Sequence, residues 1–367
     1  MVLALSHSGE TIYSSEARTD QVMIGTIQGV VSIKRHDDHW HVADRTLEGK
    51  HIHALVFEEQ SKMWFAGVYK GGIFASHDGG ETWEQKDNGI TEPDIWSMAS
   101  VLVDGKARLF AGSEPAHLFF SDDLGEQWSE LPTLRDVDTV ESWNFPAPPH
   151  IGHVKHINFA PGDPHTIFAS IEQGGLLKSS DDGKSWVDIP GMNADVHRVV
   201  INSDRPARMY TTGGGGLWRT DDGGANWDNL TYGSDQLERV KNPTAIGGYP
   251  DQLVFRPSDP DYMLVSGAQQ NPYHWYAEHT ALARISRSRD GGATWEVLSN
   301  GLTDLMKYSV EAMCIEESPG TVQVFAGTTN GEILWSEDAG DHWETIIEGI
   351  PPISKGGHYV STAEQAV

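Results

Sequence analysis

The feature that most limits what this chain can fold into is a pattern that occurs six times, Ser/Thr-x-Asp-x-Gly-x-x-Trp. The copies are Ser76-His-Asp78-Gly-Gly80-Glu-Thr-Trp83, Ser121-Asp-Asp123-Leu-Gly125-Glu-Gln-Trp128, Ser179-Ser-Asp181-Asp-Gly183-Lys-Ser-Trp186, Thr220-Asp-Asp222-Gly-Gly224-Ala-Asn-Trp227, Ser288-Arg-Asp290-Gly-Gly292-Ala-Thr-Trp295 and Ser336-Glu-Asp338-Ala-Gly340-Asp-His-Trp343. A degenerate seventh ends at Trp40, after Gly29-Val-Val-Ser-Ile-Lys-Arg35. Each box follows a short apolar run such as Gly72-Ile-Phe-Ala-Ser76 and precedes a short strand-like segment, so it reads as a hairpin turn. Asp accepts hydrogen bonds from the turn's own amides, Gly takes positive φ without steric cost, and Trp buries a large surface between neighbouring sheets. Repetition makes these aspartates turn residues rather than calcium ligands or catalytic carboxylates.

A whole repeat reads as four strands: His53–Phe57, Met63–Gly67, Gly72–Ser76 and Thr82–Gln85. Seven such units predict an all-β chain, a single seven-bladed β-propeller of four-stranded antiparallel blades over residues 1–367. The first unit lacks a clear inner strand, and His358-Tyr-Val-Ser-Thr362 has the form of one. The C-terminal strand is therefore expected to close the ring, with Thr11-Ile-Tyr-Ser-Ser15 as the competitor for that slot. The boxes, from residue 29 to residue 343, resemble the Asp-box or BNR repeats of sialidase-like, sortilin-like, xyloglucanase-like and photosystem-assembly-factor-like β-propellers. That resemblance implies the fold and leaves function open, since the repeat is shared by hydrolases, receptors and assembly factors.

Charge narrows the partners. With 26 Lys+Arg against 53 Asp+Glu, the net charge of −27 argues against nucleic acid and against anionic membrane surfaces. Cys314 is the only cysteine, which precludes an intramolecular disulfide and a cysteine-based zinc site. No secretory signal or membrane span is visible, so the expected location is cytoplasmic.

Aligning the repeats on their tryptophans exposes a polar column near the start of each inner strand. His53, Ser97, His156, His197 and Glu311 stand 30, 31, 30, 30 and 32 residues before their box Trp. Ser97, His156, His197 and Gln252 also stand seven residues before Asp104, Asp163, Asp204 and Asp259, and the segment from His358 matches that from His53. Inner strands line the propeller axis, so His53, His156, His197 and His358 are expected to converge there on a divalent transition metal, iron first and zinc, manganese or copper after it. Glu311, Glu172 and Glu114 are the carboxylates placed to act as acid, base or orienting partner. Lys155 and Arg198 flank ring histidines, and alternation along a strand assigns them to packing or salt bridges.

Three connections exceed the typical repeat: 131–152, 228–250 and 268–283. All fall on the face where the inner strands begin. They carry Trp143, Phe145, Tyr232, Tyr249, Tyr273 and Trp275, which with Tyr69 form the expected substrate-binding surface or, otherwise, a homo-oligomer interface. The leading expectation is a metal-dependent enzyme acting on a small aromatic or apolar molecule, an Fe(II) oxygenase ahead of a Zn or Mn lyase or hydrolase. Its axial four-His centre would be similar in architecture to that of carotenoid-cleavage oxygenases. The alternative is a non-catalytic binding or assembly scaffold. A sialidase-like glycosidase ranks below both, since Arg256-Pro257 lacks the intervening residue of that family's Arg-Ile-Pro segment; xyloglucanase-like enzymes resemble two propellers facing a cleft, and this chain has one.

Overall fold

Seven four-stranded sheets stand around an axis, each built from consecutive hairpins, in a computed structural model that describes residues 2–146, 148–192, 194–232, 245–269, 271–272 and 280–354. Tyr273, Trp275 and His358 lie outside the described residues. Blade 2 shows the pattern: Ile52–Glu58 innermost, then Met63–Val68, Gly72–Ser76 and Glu84–Gln85, all antiparallel. The inner strands of blades 3 to 7 are Asp94–Val103, Val154–Ala160, Arg198–Ile201, Tyr249–Arg256 and Val310–Ser318. Their apolar side chains pack blade against blade, as where Phe65 of blade 2 and Leu109, Ala111 and Phe119 of blade 3 share one buried cluster. Among the described residues no helix is long and apolar enough to cross a membrane.

The boxes form the outer turns as their chemistry requires. In the first, Ser76 donates its hydroxyl proton to Asp78 at 2.7 Å and accepts from the Gly80 amide at 2.9 Å, while the Thr82 amide donates to Asp78 at 2.9 Å. Gly80 has φ +92°, and a Cβ there would lie 2.4 Å from Met23 of blade 1. The box thus presses a bare backbone onto the preceding blade. Its tryptophan reaches the same way: Trp83 donates to Thr46 at 3.0 Å and Trp128 to the Lys86 carbonyl at 2.8 Å. The degenerate box does this across the ring junction, where Trp40 meets Phe325 and Trp335 of blade 7 edge-on at 5.4 and 5.9 Å.

Ring closure differs from both sequence expectations. The inner strand of blade 1 is Leu3–Leu5, paired in parallel with Gln21–Thr26. Ile12–Ser14, from the segment that competed for this slot, adds instead a parallel fifth strand inside blade 7, with Ile12 opposite Ile315. Between these two strands the chain runs through the axis as a plug. The Ser8 amide donates to the His53 carbonyl at 3.0 Å, Ser6 accepts from the Leu55 amide at 2.9 Å, and the His7 carbonyl accepts from Arg198 of blade 5 at 2.9 Å and Gln252 of blade 6 at 3.3 Å. Ser6, His7 and Ser8 are buried. Below the plug, residues 9–12, His156 and Arg198 line a pocket of about 270 Å³.

Candidate functional site

The rim where the inner strands begin is shaped by a repeated irregularity. In blades 2, 3, 4, 6 and 7 the pairing of the inner strand skips one residue, and the skipped residues are His53, Trp96, Lys155, Asp251 and Glu311. A bulge of this kind re-aims the side chain it displaces. Polar and aromatic groups that simple alternation would scatter are thereby gathered at one level of the rim.

Glu172, at the mouth of blade 4, is the hub. Its carboxylate accepts from Lys155 at 2.6 Å and bonds His153 at 3.1 Å, and it lies 3.5 Å from Nε2 of His197. Asp195 comes within 3.1 Å of the same nitrogen, Tyr249 bonds it at 3.0 Å, and Asp251 lies 2.8 Å from Nδ1 on the other side of the ring. Asp195 is bedded on glycine: a Cβ at Gly213 or Gly214 would fall 1.8 Å from its carbonyl or 2.1 Å from its carboxylate. Glu114 adds a carboxylate 3.3 Å from His153. Nearby, burial pushes Asp94 up to about 7 although the Lys70 amide donates to it at 3.2 Å.

Beside this network runs an aromatic stack. His153 lies on Trp96 at 3.6 Å, Trp96 meets His53 at 4.6 Å, and His53 meets His51 at 4.4 Å and Tyr69 at 5.4 Å. Phe145 closes the other end, 5.1 Å from His153. Both ring nitrogens of His53 are fully buried without a hydrogen-bond partner, and burial, followed by the neighbouring His51, holds its pKa well below the usual histidine value.

Among the described residues, His53, His156 and His197 do not share one centre. His53 belongs to the stack. His156 accepts from the Arg198 guanidinium at 2.9 Å, and a cation seated on that nitrogen's lone pair repels a metal ion. Its pKa is held low by burial first and by Arg198 second. His197 sits among carboxylates. Among the described residues, two groups bring three donor types within 4.8 Å of one another, His7 with Asp251 and Glu311, and Glu172 with Asp195 and His197. Neither includes His53 or His156.

Of the expected carboxylates, Glu172 and Glu311 are buried and Glu114 is half-buried. Phe145 and Tyr249 are built into the wall; Tyr69, Trp143 and Tyr232 keep part of their surface open. Sequence reasoning missed His7, Asp195 and Asp251, and it set His153 only as a neighbour able to take the place of His156 in the column. The run Gly213–Gly216 was the available signal for Asp195, since bare backbone marks a close approach.

Residues 174–312 match the family of sortilin (neurotensin receptor 3), and residues 33–137 that of the photosynthesis system II assembly factor YCF48. With box turns in six of the seven blades, these matches support a superfamily without a specific member. The chain belongs to the BNR-type β-propellers. Among curated relatives of this BNR propeller, a xyloglucanase from Paenibacillus sp is 30% identical over 339 residues, covering 81% of this chain and 31% of the relative. The photosystem II assembly lipoprotein Ycf48 of Synechococcus sp. (strain CC9902) is 24% identical, covering 74% and 68%. The chain thus spans about a third of the xyloglucanase. Among solved structures, the GH74 xyloglucanase from Xanthomonas campestris superposes with TM-score 0.69 at 17% identity, covering 95% of this chain and 56% of that one. YCF48 bound to D1 peptide superposes with TM-score 0.58 at 15% identity, covering 91% and 94%.

These relatives overturn the oxygenase expectation and the small-molecule partner that went with it. They are named for a polysaccharide-acting enzyme and for an assembly factor bound to a peptide. The physical reason lies at the axis, where the chain's own residues 6–8 bond blades 2, 5 and 6 and where His53, His156 and His197 each face separate neighbours.

Proposed function

We propose that this BNR propeller is a non-catalytic binding scaffold that takes an extended segment of another protein across the face where its inner strands begin. One observation carries the reading. Of the carboxylates at this rim, Glu172 and Glu311 are buried and Glu114 and Asp195 keep only a tenth or less of their side chains exposed, with Glu172 held by Lys155 and His153 and Glu114 against His153, whereas Tyr69, Lys70, Trp143 and Tyr232 stay accessible around them. Locked charges under an aromatic rim suit recognition better than proton transfer, which needs a group within reach of the reacting atoms. The likeness to a single propeller of matching length that binds a peptide supports the same reading. The charge of −27 favours a basic segment.

Displayed peptide libraries test it. Basic, extended sequences are expected to be enriched on the wild type, and Tyr69→Ala or Trp143→Ala is expected to weaken the selected peptides by about 1–3 kcal/mol, as aromatic anchors do. The likeness to xyloglucanases sets the control, xyloglucan oligosaccharides assayed for new reducing ends. Their cleavage, with no peptide enriched, overturns the scaffold in favour of a glycoside hydrolase.

A further inference from the structure

We infer that Glu172, Asp195 and His197 form a divalent-cation site that ties blade 4 to blade 5 beneath the rim. The sequence-derived metal centre drew four histidines from four blades, whereas this site takes one of them and two carboxylates.

The geometry carries the assignment. Metal–ligand bonds of ~2.0–2.2 Å at angles of ~90–109° place neighbouring donor atoms ~2.8–3.6 Å apart. Nε2 of His197 lies 3.1 Å from Asp195 and 3.5 Å from Glu172, and donor atoms of all three fall within 4.8 Å of one another. An imidazole and two carboxylates are the mixed nitrogen and oxygen set that Zn²⁺, Mn²⁺ and related ions accept.

Two features outside the donor set point the same way. Asp251, 2.8 Å from Nδ1, favours the tautomer with its proton there, which leaves the Nε2 lone pair on the side of Asp195, Glu172 and the Tyr249 hydroxyl, a neutral donor that an incoming ion would displace. A carboxylate behind a ligating histidine is the usual support of such sites. The second is the glycine bed. Gly213 and Gly214 leave no room for a side chain against Asp195, so its carboxylate is set by the backbone of blade 5. Lys155 neutralises one carboxylate of the three around this imidazole, and a divalent cation between Glu172 and Asp195 would offset the charge of the others. Asp195 retains some solvent contact at the rim, which gives an ion its route in.

The experiment uses the whole chain, stripped with chelator and titrated with Zn²⁺ by calorimetry, with Co²⁺ as a visible-absorbing stand-in. The expected result is one equivalent per chain, a raised melting temperature and a Co²⁺ ligand-field spectrum. Asp195→Asn is expected to weaken Zn²⁺ at least tenfold while the metal-free protein keeps its melting temperature, and His197→Gln to abolish the Co²⁺ spectrum. Should His197→Gln fail to fold, Asp195→Asn carries the test alone. Folded wild type that takes up neither ion at neutral pH overturns the inference; the three groups then share protons only. Binding undiminished in Asp195→Asn overturns it equally. The readouts involve no partner, so failure here leaves the scaffold reading standing, and the reverse.

Discussion

At the box turns the aspartate in third position takes its side-chain hydrogen bonds from no further than four residues along its own chain. Asp222 takes its bonds from Thr220 at 2.8 Å and from the Asn226 amide and side chain at 2.9 and 2.7 Å, in solvent. At the opposite rim Glu172 gathers Lys155 and His153 from the neighbouring strand and approaches His197 of the next blade, out of solvent. The same carboxylate chemistry thus serves two purposes. Local and repeated, it makes hairpins; non-local and unrepeated, it makes a surface that no other blade copies. Repetition in a propeller reports scaffold, and departures from it report specialisation.

The contrast predicts unequal costs. Lys155→Met should destabilise the fold by about 3–5 kcal/mol in urea denaturation, because it strands Glu172 as a buried charge without its ammonium partner; a loss below about 1 kcal/mol would show that the rim is better hydrated than its burial implies. Asp94 gives an effect of intermediate size with a sign set by pH. Its raised pKa, about 7, means that the native state resists ionisation, so stability falls as pH rises from ~4 through about 7. Asp94→Asn keeps an acceptor for the Lys70 amide and escapes that loss. The variant should gain roughly 1–2 kcal/mol over wild type at pH 8, with the gain fading below ~pH 4, as followed by thermal melts across pH. The box aspartate has the opposite sign and the smallest effect. Hydrogen bonds from the Asn226 side chain and amide and from Thr220 hold Asp222 at about 2, so its contribution is present above ~pH 4 and is lost as pH falls through 2. Asp222→Asn should therefore lower the melting temperature slightly at pH 7 and blunt the acid slope between pH 4 and 2, so that the two proteins converge at the acid end. An equal slope in both proteins would mean that the turn keeps its bonds in the unfolded chain.

The blades could be read from sequence because each box sets its own turn and its tryptophan marks a fixed distance to the inner strand. The rim could be read only in part. Counting back from Trp128 and Trp186, and from Asp259, pointed to Ser97, His156 and Gln252, but bulges at Trp96, Lys155 and Asp251 shift the re-aimed residue by one. Alternation likewise assigned Lys155 to a salt bridge or packing, and the structure gives it the hub's counter-charge. The plug left little pattern beyond the strand-like Thr11–Ser15, whose partner the sequence misplaced. Leu3–Leu5 and Ile12–Ser14 are too short for a period and pair in parallel with strands far away, so no turn residue announces them.

That plug also orders events in time. Ile12–Ser14 finds its partners in Ile315–Glu317, after roughly 300 further residues of chain. At ~5–20 residues per second of synthesis, the apolar segments at one end of the ring wait roughly 15–60 s for the other end to exist. Blades 2 to 6 can assemble in sequence meanwhile, with residues 6–8 bonding them at the axis, but Ile12–Ser14 stays unpaired and Gln252 lacks the Glu311 carbonyl until blade 7 arrives. The ring is therefore a structure that its ribosome must finish before it can lock, and the waiting segment is where a chaperone would be most needed.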